Sequence, residues 1–166
     1  MSGGGAYSTA LAKDLIQVEV DTVLYALEVA RIREIVNPLP LIELPRERPF
    51  IVGVSDYREQ VVAVVDLRRL FGLPAKQASR RTKWVILETG GMLVGVVVDA
   101  VLDVFSSAED QEREVPVLDD RHRGRGITSA YRHDDRLVFL LDAERLVQPA
   151  TEIRPEEMPS LPSEAP

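Results

Sequence analysis

The sequence predicts an all-β protein built as two small lobes, and three observations support this. The apolar runs are short and rich in valine, as is typical of strands. Turn signals separate these runs at intervals too short to hold crossover helices, which favours antiparallel meanders and small barrels. A seven-residue pattern recurs in the second half of the chain, so we expect each lobe to close in the same way.

Four runs mark the strands most clearly. Residues 16–20 alternate between apolar and polar side chains, whereas residues 61–65 are almost continuously apolar. Residues 84–87 and 93–98 have the same valine-rich composition. The pair Gly90 and Gly91 and the polar residues 133–135 are turn signals between such runs.

The recurring pattern reads VVDLRRL at residues 64–70 and LLDAERL at residues 140–146, an offset of 76. In both copies an apolar strand ends at an aspartate, Asp66 or Asp142, which we expect to cap a short helix. A second echo pairs VARIREI at 29–35 with VDAVLDV at 98–104, an offset of 69. The difference of seven residues requires a longer insert in the second half, and the polar residues 106–125 can supply it.

Composition sets the limits of the fold. The 166 residues are 45% hydrophobic, which suffices for one compact domain or two half-size lobes with a shared core. We expect a flexible tail at 1–12, a folded domain at 13–148 and a flexible Pro- and acid-rich tail at 149–166. Within the domain, lobe one is predicted at about 13–75, lobe two at about 76–141 and a closing helix at about 142–148.

Charge and cysteine content narrow the function classes. The net charge of −7 disfavours nucleic acid as the main partner. The sequence has no cysteine, which excludes disulfides and thiolate chemistry and fits a cytoplasmic location. The first residues lack a signal-peptide pattern, and each apolar run is too short to cross a bilayer, so we expect no membrane insertion.

Catalytic and metal sites find little support in the sequence. His122 and His133 are the two histidines, and each lies in a charged, loop-like stretch with neighbouring aspartates. These clusters can offer metal ligands, but solvated turns are the favoured interpretation. The glycines do not form a phosphate-binding loop. The prediction is therefore no catalytic residue, no metal and no cofactor.

Two longer stretches carry a family resemblance. Residues 50–58 read FIVGVSDYR and residues 61–73 read VVAVVDLRRLFGL. Supporting pieces are YALEV at 25–29, IREI at 32–35 and VGVVVD at 94–99. In order, spacing and residue type this chain resembles the CheW-like domain family over about residues 15–147.

The resemblance implies a fold and a function. The fold would be two five-stranded, SH3-like β-barrel lobes packed around a shared core, with short helices closing the lobes. The function would be that of a non-enzymatic adaptor in bacterial chemotaxis. Its implied partners are the regulatory domain of a CheA-type histidine kinase and the cytoplasmic tip of a methyl-accepting chemoreceptor, in receptor arrays at the inner membrane.

The resemblance also implies protein-binding residues. Arg58 matches the arginine of the family's Asn-Leu-Arg-Gly turn, and Ile32 with Glu34 match the segment after the second strand. An aliphatic anchor beside an acid and an arginine combines affinity with orientation. The groove where a receptor helix would lie is matched by four further positions, for which core packing is the alternative: Gly53, Gly95, Val101 and Val104.

One departure from the family turn bears on function. Glu59 stands where the family has glycine, which restricts the backbone and adds a charge beside Arg58 with which it can pair. Asp21 also replaces a family glycine, but aspartate tolerates left-handed turns. Other interpretations stay open: a diverged paralogue that keeps one partner, a small β-barrel nucleic-acid binder using the arginines of residues 121–125, and an enzyme using the two histidine clusters.

Overall fold

The structure is a computed structural model, and it describes residues 13–44, 50–107, 112–113 and 126–151. The predicted tail at 1–12 and most of the predicted tail at 149–166 lie outside these residues. The final helix runs to Thr151, three residues beyond the predicted end of the closing helix. Neither helix of the described part is long and apolar enough to cross a membrane.

Strands account for most of the described elements, as predicted. The chain forms eleven described strands, a short 3-10 turn at Val29–Arg31, and two helices, α1 (Leu67–Leu70) and α2 (Ala143–Thr151). The strands are β1 (Asp14–Val20), β2 (Val23–Glu28), β3 (Ile32–Val36), β4 (Ile51–Tyr57), β5 (Gln60–Asp66), β6 (Lys83–Thr89), β7 (Met92–Val98), β8 (Ala100–Ser106), β9 (Glu112–Arg113), β10 (Ile127–His133) and β11 (Arg136–Leu141).

Two sheets form the described fold. One has the strand order β3-β6-β7-β5-β4, and the other β8-β1-β2-β11-β10-β9. The sixth strand of the second sheet, β9, is only two residues long, so five strands of ordinary length remain in each sheet. The prediction of a mainly β protein with two such sheets and short closing helices is confirmed.

The sheets do not follow the predicted lobe boundaries at 13–75 and 76–141. The N-terminal hairpin β1–β2 joins the sheet of the C-terminal strands, because β2 pairs in parallel with β11 and β1 pairs with β8. Residues 32–98 supply the whole of the other sheet, in which β5 pairs in parallel with β7. The central half of the chain is therefore one sheet, and the two ends build the other.

The two sheets are internal repeats, and the two predicted offsets relate them. An offset of 69 places β1 on β6 and β2 on β7, and an offset of 76 places β4 on β5's partner position in the second half, β10, and β5 on β11. The register irregularities follow the same rule, since Ile51/Gly53 and Ile127/Ser129 are 76 apart. Each sheet is thus assembled from the same pair of hairpins.

Both predicted helix caps are confirmed. The Asp66 carboxylate accepts a hydrogen bond from the Arg68 backbone N–H at 3.0 Å, and Asp142 does the same for Glu144 at 3.0 Å. Burial raises the pKa of the Asp66 carboxyl, although the Arg68 N–H acts in the opposite direction. An aspartate cap of this kind contributes about 1 kcal/mol to stability.

The core has three parts, which explains the nearly continuous apolar runs. Successive side chains of a strand point to opposite faces, and β6 places Trp84 and Ile86 in the core of its own sheet but Val85 and Leu87 in the core shared by both sheets. The six-stranded sheet has its own core around Leu15 and Phe105. Because both faces of these strands are buried, both sets of positions are apolar.

Candidate functional site: the Glu34–Arg58 surface

A carboxylate, a phenol and a guanidinium meet at one end of the five-stranded sheet. Strand β3 carries Glu34, and the hairpin between β4 and β5 carries Tyr57 and Arg58. Arg58 donates to both carboxylate oxygens of Glu34, from Nε to Oε1 and from Nη2 to Oε2, each at 3.0 Å. Tyr57 donates its hydroxyl to Glu34 Oε1 at 2.5 Å. We call these three residues the Glu34–Arg58 cluster.

The two-residue turn fixes this geometry. Arg58 and Glu59 both have positive φ, 48° and 68°, as expected for the primed turns that join strands of a tight hairpin. The Glu59 backbone N–H donates to the Asp56 carboxylate at 2.9 Å. The Arg58 guanidinium lies 5.6 Å from the centre of the Tyr57 ring, so the aromatic face helps to orient it.

Hydrogen bonding controls the ionisation of the cluster. The Arg58 guanidinium first, and then the Tyr57 hydroxyl, hold the pKa of the Glu34 carboxyl below its ordinary value. Burial first, and then the Glu34 carboxylate, raise the pKa of Tyr57, while Glu34 raises the pKa of Arg58. Near neutral pH the cluster is therefore a carboxylate, a neutral phenol and a guanidinium cation.

The cluster is accessible from outside. The Arg58 side chain is 70% exposed and that of Glu34 is 34% exposed, whereas Tyr57 is buried beneath them. An open depression of about 350 Å³ lies beside the cluster, and its lining residues are Arg33, Glu34, Tyr57, Arg58, Gln60 and Leu93. A buried aromatic support under an exposed, bidentate ion pair can present fixed charges to a protein partner.

The structure brings Ile32, Glu34 and Arg58 to the same region but separates the roles of their side chains. Ile32 begins β3 and packs against the shared core, so it is partly buried. Glu34 lies two residues further along and pairs with Arg58. Among the described contacts the Arg58 guanidinium engages Glu34, and the predicted option of a pair with Glu59 is not what the geometry shows.

The four predicted groove positions occupy different environments. Gly53 has a φ of 154°, and a Cβ there would collide with the backbone carbonyl of Ile42, which pairs with Val54 across the strand. Gly95 is buried under the Trp84 ring. Val101 packs against the shared core, whereas the Val104 side chain is one of the exposed large apolar groups, at 57%.

A buried polar network that the sequence analysis missed joins the two sheets. The Arg68 guanidinium, on α1, binds Asp99 Oδ2 at 2.6 Å and Asp21 Oδ1 at 3.3 Å, and Arg68 Nε donates to the Pro74 carbonyl at 2.9 Å. Asp99 Oδ2 also accepts the Asp21 backbone N–H at 2.7 Å. The network ties the β1–β2 turn to the opposite sheet. Asp21 has a φ of 59°, which aspartate tolerates as expected.

One of the two histidine clusters lies within the described residues. His133 ends β10, and Asp134 and Asp135 form the following two-residue turn, as the turn signal predicted. His133 Nε2 lies 3.2 Å from Asp103 Oδ2 and 3.5 Å from Asp134 Oδ2, an arrangement of metal-ligating atom types. His122 and the arginines of residues 121–125 lie outside the described residues.

Comparisons with known proteins agree with the resemblance. The model of the CheW-like domain family matches residues 14–150. The chain is similar to the chemotaxis protein CheW of Klebsiella aerogenes, with 28% identity over 74% of each chain, and to that of Thermotoga maritima, with 25% identity over 83% of this chain and 89% of the relative. The crystal structure of the scaffolding protein TtCheW from Thermoanaerobacter tengcongensis has the same fold, with a TM-score of 0.70, 23% identity, and 80% and 85% of the two chains covered.

Proposed function

Because the chain belongs to the CheW-like domain family, we propose that it is a non-enzymatic adaptor that couples chemoreceptors to a CheA-type histidine kinase. The family assignment gives its place in chemotaxis signalling, and the similarity to CheW proteins supports an adaptor role. In this proposal the chain binds the regulatory domain of the kinase and the cytoplasmic tip of the receptor. It works in the cytoplasm and is recruited to receptor arrays at the inner membrane.

The Glu34–Arg58 cluster is the observation that carries the kinase side of the proposal. Its ion pair is bidentate and exposed, and the buried Tyr57 ring supports it from below. Such a pair is oriented before a partner arrives, so binding costs little additional side-chain ordering. Ile32 lies two residues before Glu34 and holds β3 against the core. We therefore assign Arg58 and Glu34 to direct contact and Ile32 to their support.

The receptor side of the proposal rests on a second set of residues. We propose that Val104, with its exposed apolar side chain, contacts a receptor helix directly. Gly53, Gly95 and Val101 would act through shape, because they set the path of the strands rather than offer accessible side chains. Gly53 in particular lets the chain at Ile42 pass close to β4.

Glu59 favours an alternative within the same family. It occupies the turn beside Arg58 with positive φ, where glycine would leave both space and a neutral surface. A diverged paralogue that binds only one partner is the function expected if this carboxylate repels the other. Replacing Glu59 by glycine should then recover the missing interaction.

Titration calorimetry with the regulatory domain of the kinase, and separately with a receptor-tip fragment, tests the proposal. We expect the chain to bind both, and Arg58→Ala to weaken kinase binding by about tenfold or more. Arg132→Ala is the matched control, because Arg132 is an exposed arginine of the equivalent hairpin in the other half, paired with Asp135. If neither partner binds the folded chain, the adaptor function is wrong. If one partner binds and Glu59→Gly restores the other, the paralogue alternative holds.

A further inference from the structure

Three side chains with metal-ligating atoms converge on the six-stranded sheet. Asp103 comes from β8, His133 ends β10, and Asp134 is the first residue of the β10–β11 turn. Their ligand atoms all lie within 4.8 Å of one another. Two of the separations are 3.2 Å, from His133 Nε2 to Asp103 Oδ2, and 3.5 Å, from His133 Nε2 to Asp134 Oδ2.

The imidazole is held in a defined orientation. The His133 ring stacks on the Phe105 ring, with centroids 4.2 Å apart and an interplanar angle of 17°. The side chain is only 12% exposed, whereas those of Asp103 and Asp134 are 57% and 79% exposed. The ring therefore directs Nε2 outward, toward two carboxylates that a dissolved ion can reach.

The internal repeat indicates what these residues lack. The offset of 69 places Asp103 on Glu34, and the offset of 76 places His133 on Tyr57 and Asp134 on Arg58. In the five-stranded sheet the carboxylate is therefore neutralised by a cation from the turn, the Arg58 guanidinium. In the six-stranded sheet the same turn position is a second carboxylate. A cation supplied from solution would replace the missing guanidinium.

We propose that Asp103, His133 and Asp134 form a binding site for a divalent transition-metal ion of the zinc class. Zinc accepts imidazole nitrogen and carboxylate oxygen at about 2.0–2.1 Å in tetrahedral geometry, which places neighbouring ligand atoms about 3.3–3.4 Å apart. The two separations of 3.2 and 3.5 Å bracket this spacing. The neutral imidazole binds through Nε2, both carboxylates bind as anions, and water completes the coordination. Calcium and magnesium, which prefer all-oxygen sites, fit this set less well.

The site departs from the sequence-based expectation of no metal, and it is independent of the adaptor function. Bound metal would link β8 to the β10–β11 hairpin, two segments that are far apart in the sequence. Metal that binds only the folded chain stabilises it in proportion to its concentration. We therefore expect a raised melting temperature in zinc chloride, reversed by a chelator.

Titration of the untagged, metal-free full chain with zinc chloride, by calorimetry and by competition with a chromophoric chelator, tests the proposal. We expect one ion per chain, and a loss of affinity of about tenfold or more in Asp103→Asn and in Asp134→Asn. Both substitutions keep the side-chain shape at exposed positions, so circular dichroism should show an unchanged fold. His133→Gln should abolish the binding.

Two controls keep the result specific. Asp135→Asn changes the adjacent turn carboxylate, which faces Arg132 at 3.7 Å, and should leave zinc affinity unchanged. His122→Ala removes the other histidine and should also have no effect. Absence of zinc binding would show that His133 simply hydrogen-bonds to its carboxylates and would overturn the proposal. So would binding that is lost in His122→Ala or retained in the Asp103 and Asp134 variants.

Discussion

Tyr57 and His133 lie 76 residues apart and occupy the same place in the two halves of the molecule. Each ends the first strand of a two-residue hairpin, and each reaches a carboxylate on another strand. Tyr57 donates to Glu34 at 2.5 Å, and His133 Nε2 lies 3.2 Å from Asp103. The repeated scaffold thus presents two surfaces of different chemistry, one completed by an arginine and one with an additional aspartate.

The ionisation of Glu34 gives the first prediction. Because Arg58 is the largest cause of the lowered Glu34 pKa, Arg58→Ala should raise that pKa toward its ordinary value. A depressed carboxyl pKa stabilises the fold above the pKa of the unfolded chain, and this contribution is lost as pH falls through the folded pKa. Stability of the wild type should therefore fall more steeply on acidification than stability of the variant. Carbon-detected NMR titration of Glu34 measures the pKa directly.

Arg33→Ala is the control for that titration. Arg33 lies beside Glu34 in the sequence, but its guanidinium binds Glu88 on the neighbouring strand at 2.9 Å. Its loss should change the Glu34 pKa much less than the loss of Arg58. Equal shifts in the two variants would show that general charge, rather than the bidentate pair, sets the ionisation.

The Arg68 network gives a prediction about stability. Arg68→Met should lower the free energy of unfolding by about 3 kcal/mol, because it leaves the Asp99 carboxylate partly buried without its cation. Urea denaturation measures the loss. Arg69→Met, at the next position on α1, where the side chain is 45% exposed, should change stability by less than about 0.5 kcal/mol. Similar losses in both variants would argue against a role of the network in joining the sheets.

The hairpin turns predict a difference between glutamate and aspartate. Glu59→Gly should raise the free energy of unfolding by roughly 0.5–1 kcal/mol, because φ is 68° at this position and glycine adopts such values without strain. Asp135→Gly, at the equivalent position with a φ of 61°, should gain less, since aspartate tolerates the left-handed region better. Thermal and urea unfolding of the two variants test the order of the gains, and a larger gain at Asp135 would contradict it.

Gly53 and Gly95 should respond differently to the same change. Gly53→Ala forces a Cβ into the Ile42 carbonyl at a φ of 154° and should destabilise the chain by about 2 kcal/mol or more. Gly95→Ala places its Cβ 3.6–3.7 Å from the nearest side chains, which is ordinary contact, and should cost less than about 1 kcal/mol. Equal losses, measured by urea denaturation, would refute the distinct role assigned to Gly53.

The sequence was informative where structure is local. Valine-rich runs marked the strands, and the repeated aspartate before a leucine-containing segment marked both helix caps. The division into lobes differed, because the parallel pairs β2–β11 and β5–β7 join strands that are distant in the chain and leave no local pattern. The Arg68 network and the contact of Ile42 with Gly53 were missed for the same reason.

The candidate site was partly predictable. Arg58 and Glu34 were identified through the resemblance to a family, but the support of Tyr57 was not, because a single tyrosine at a strand end carries no signal of burial. The equivalence of Tyr57 with His133 was available in principle, since the offset of 76 that relates Asp66 to Asp142 also relates these residues. Extending the repeat from the caps to the hairpin turns would have found both clusters.

Reconstitution of the signalling complex tests the adaptor function most directly. Receptor-containing membranes and the CheA-type kinase are combined with or without the chain, and kinase phosphorylation from ATP is measured before and after addition of the receptor's ligand. We expect the ligand to change the phosphorylation rate only when the chain is present, and this control to be lost or strongly reduced with Arg58→Ala. A rate that is the same with and without the folded wild-type chain would contradict the proposed coupling.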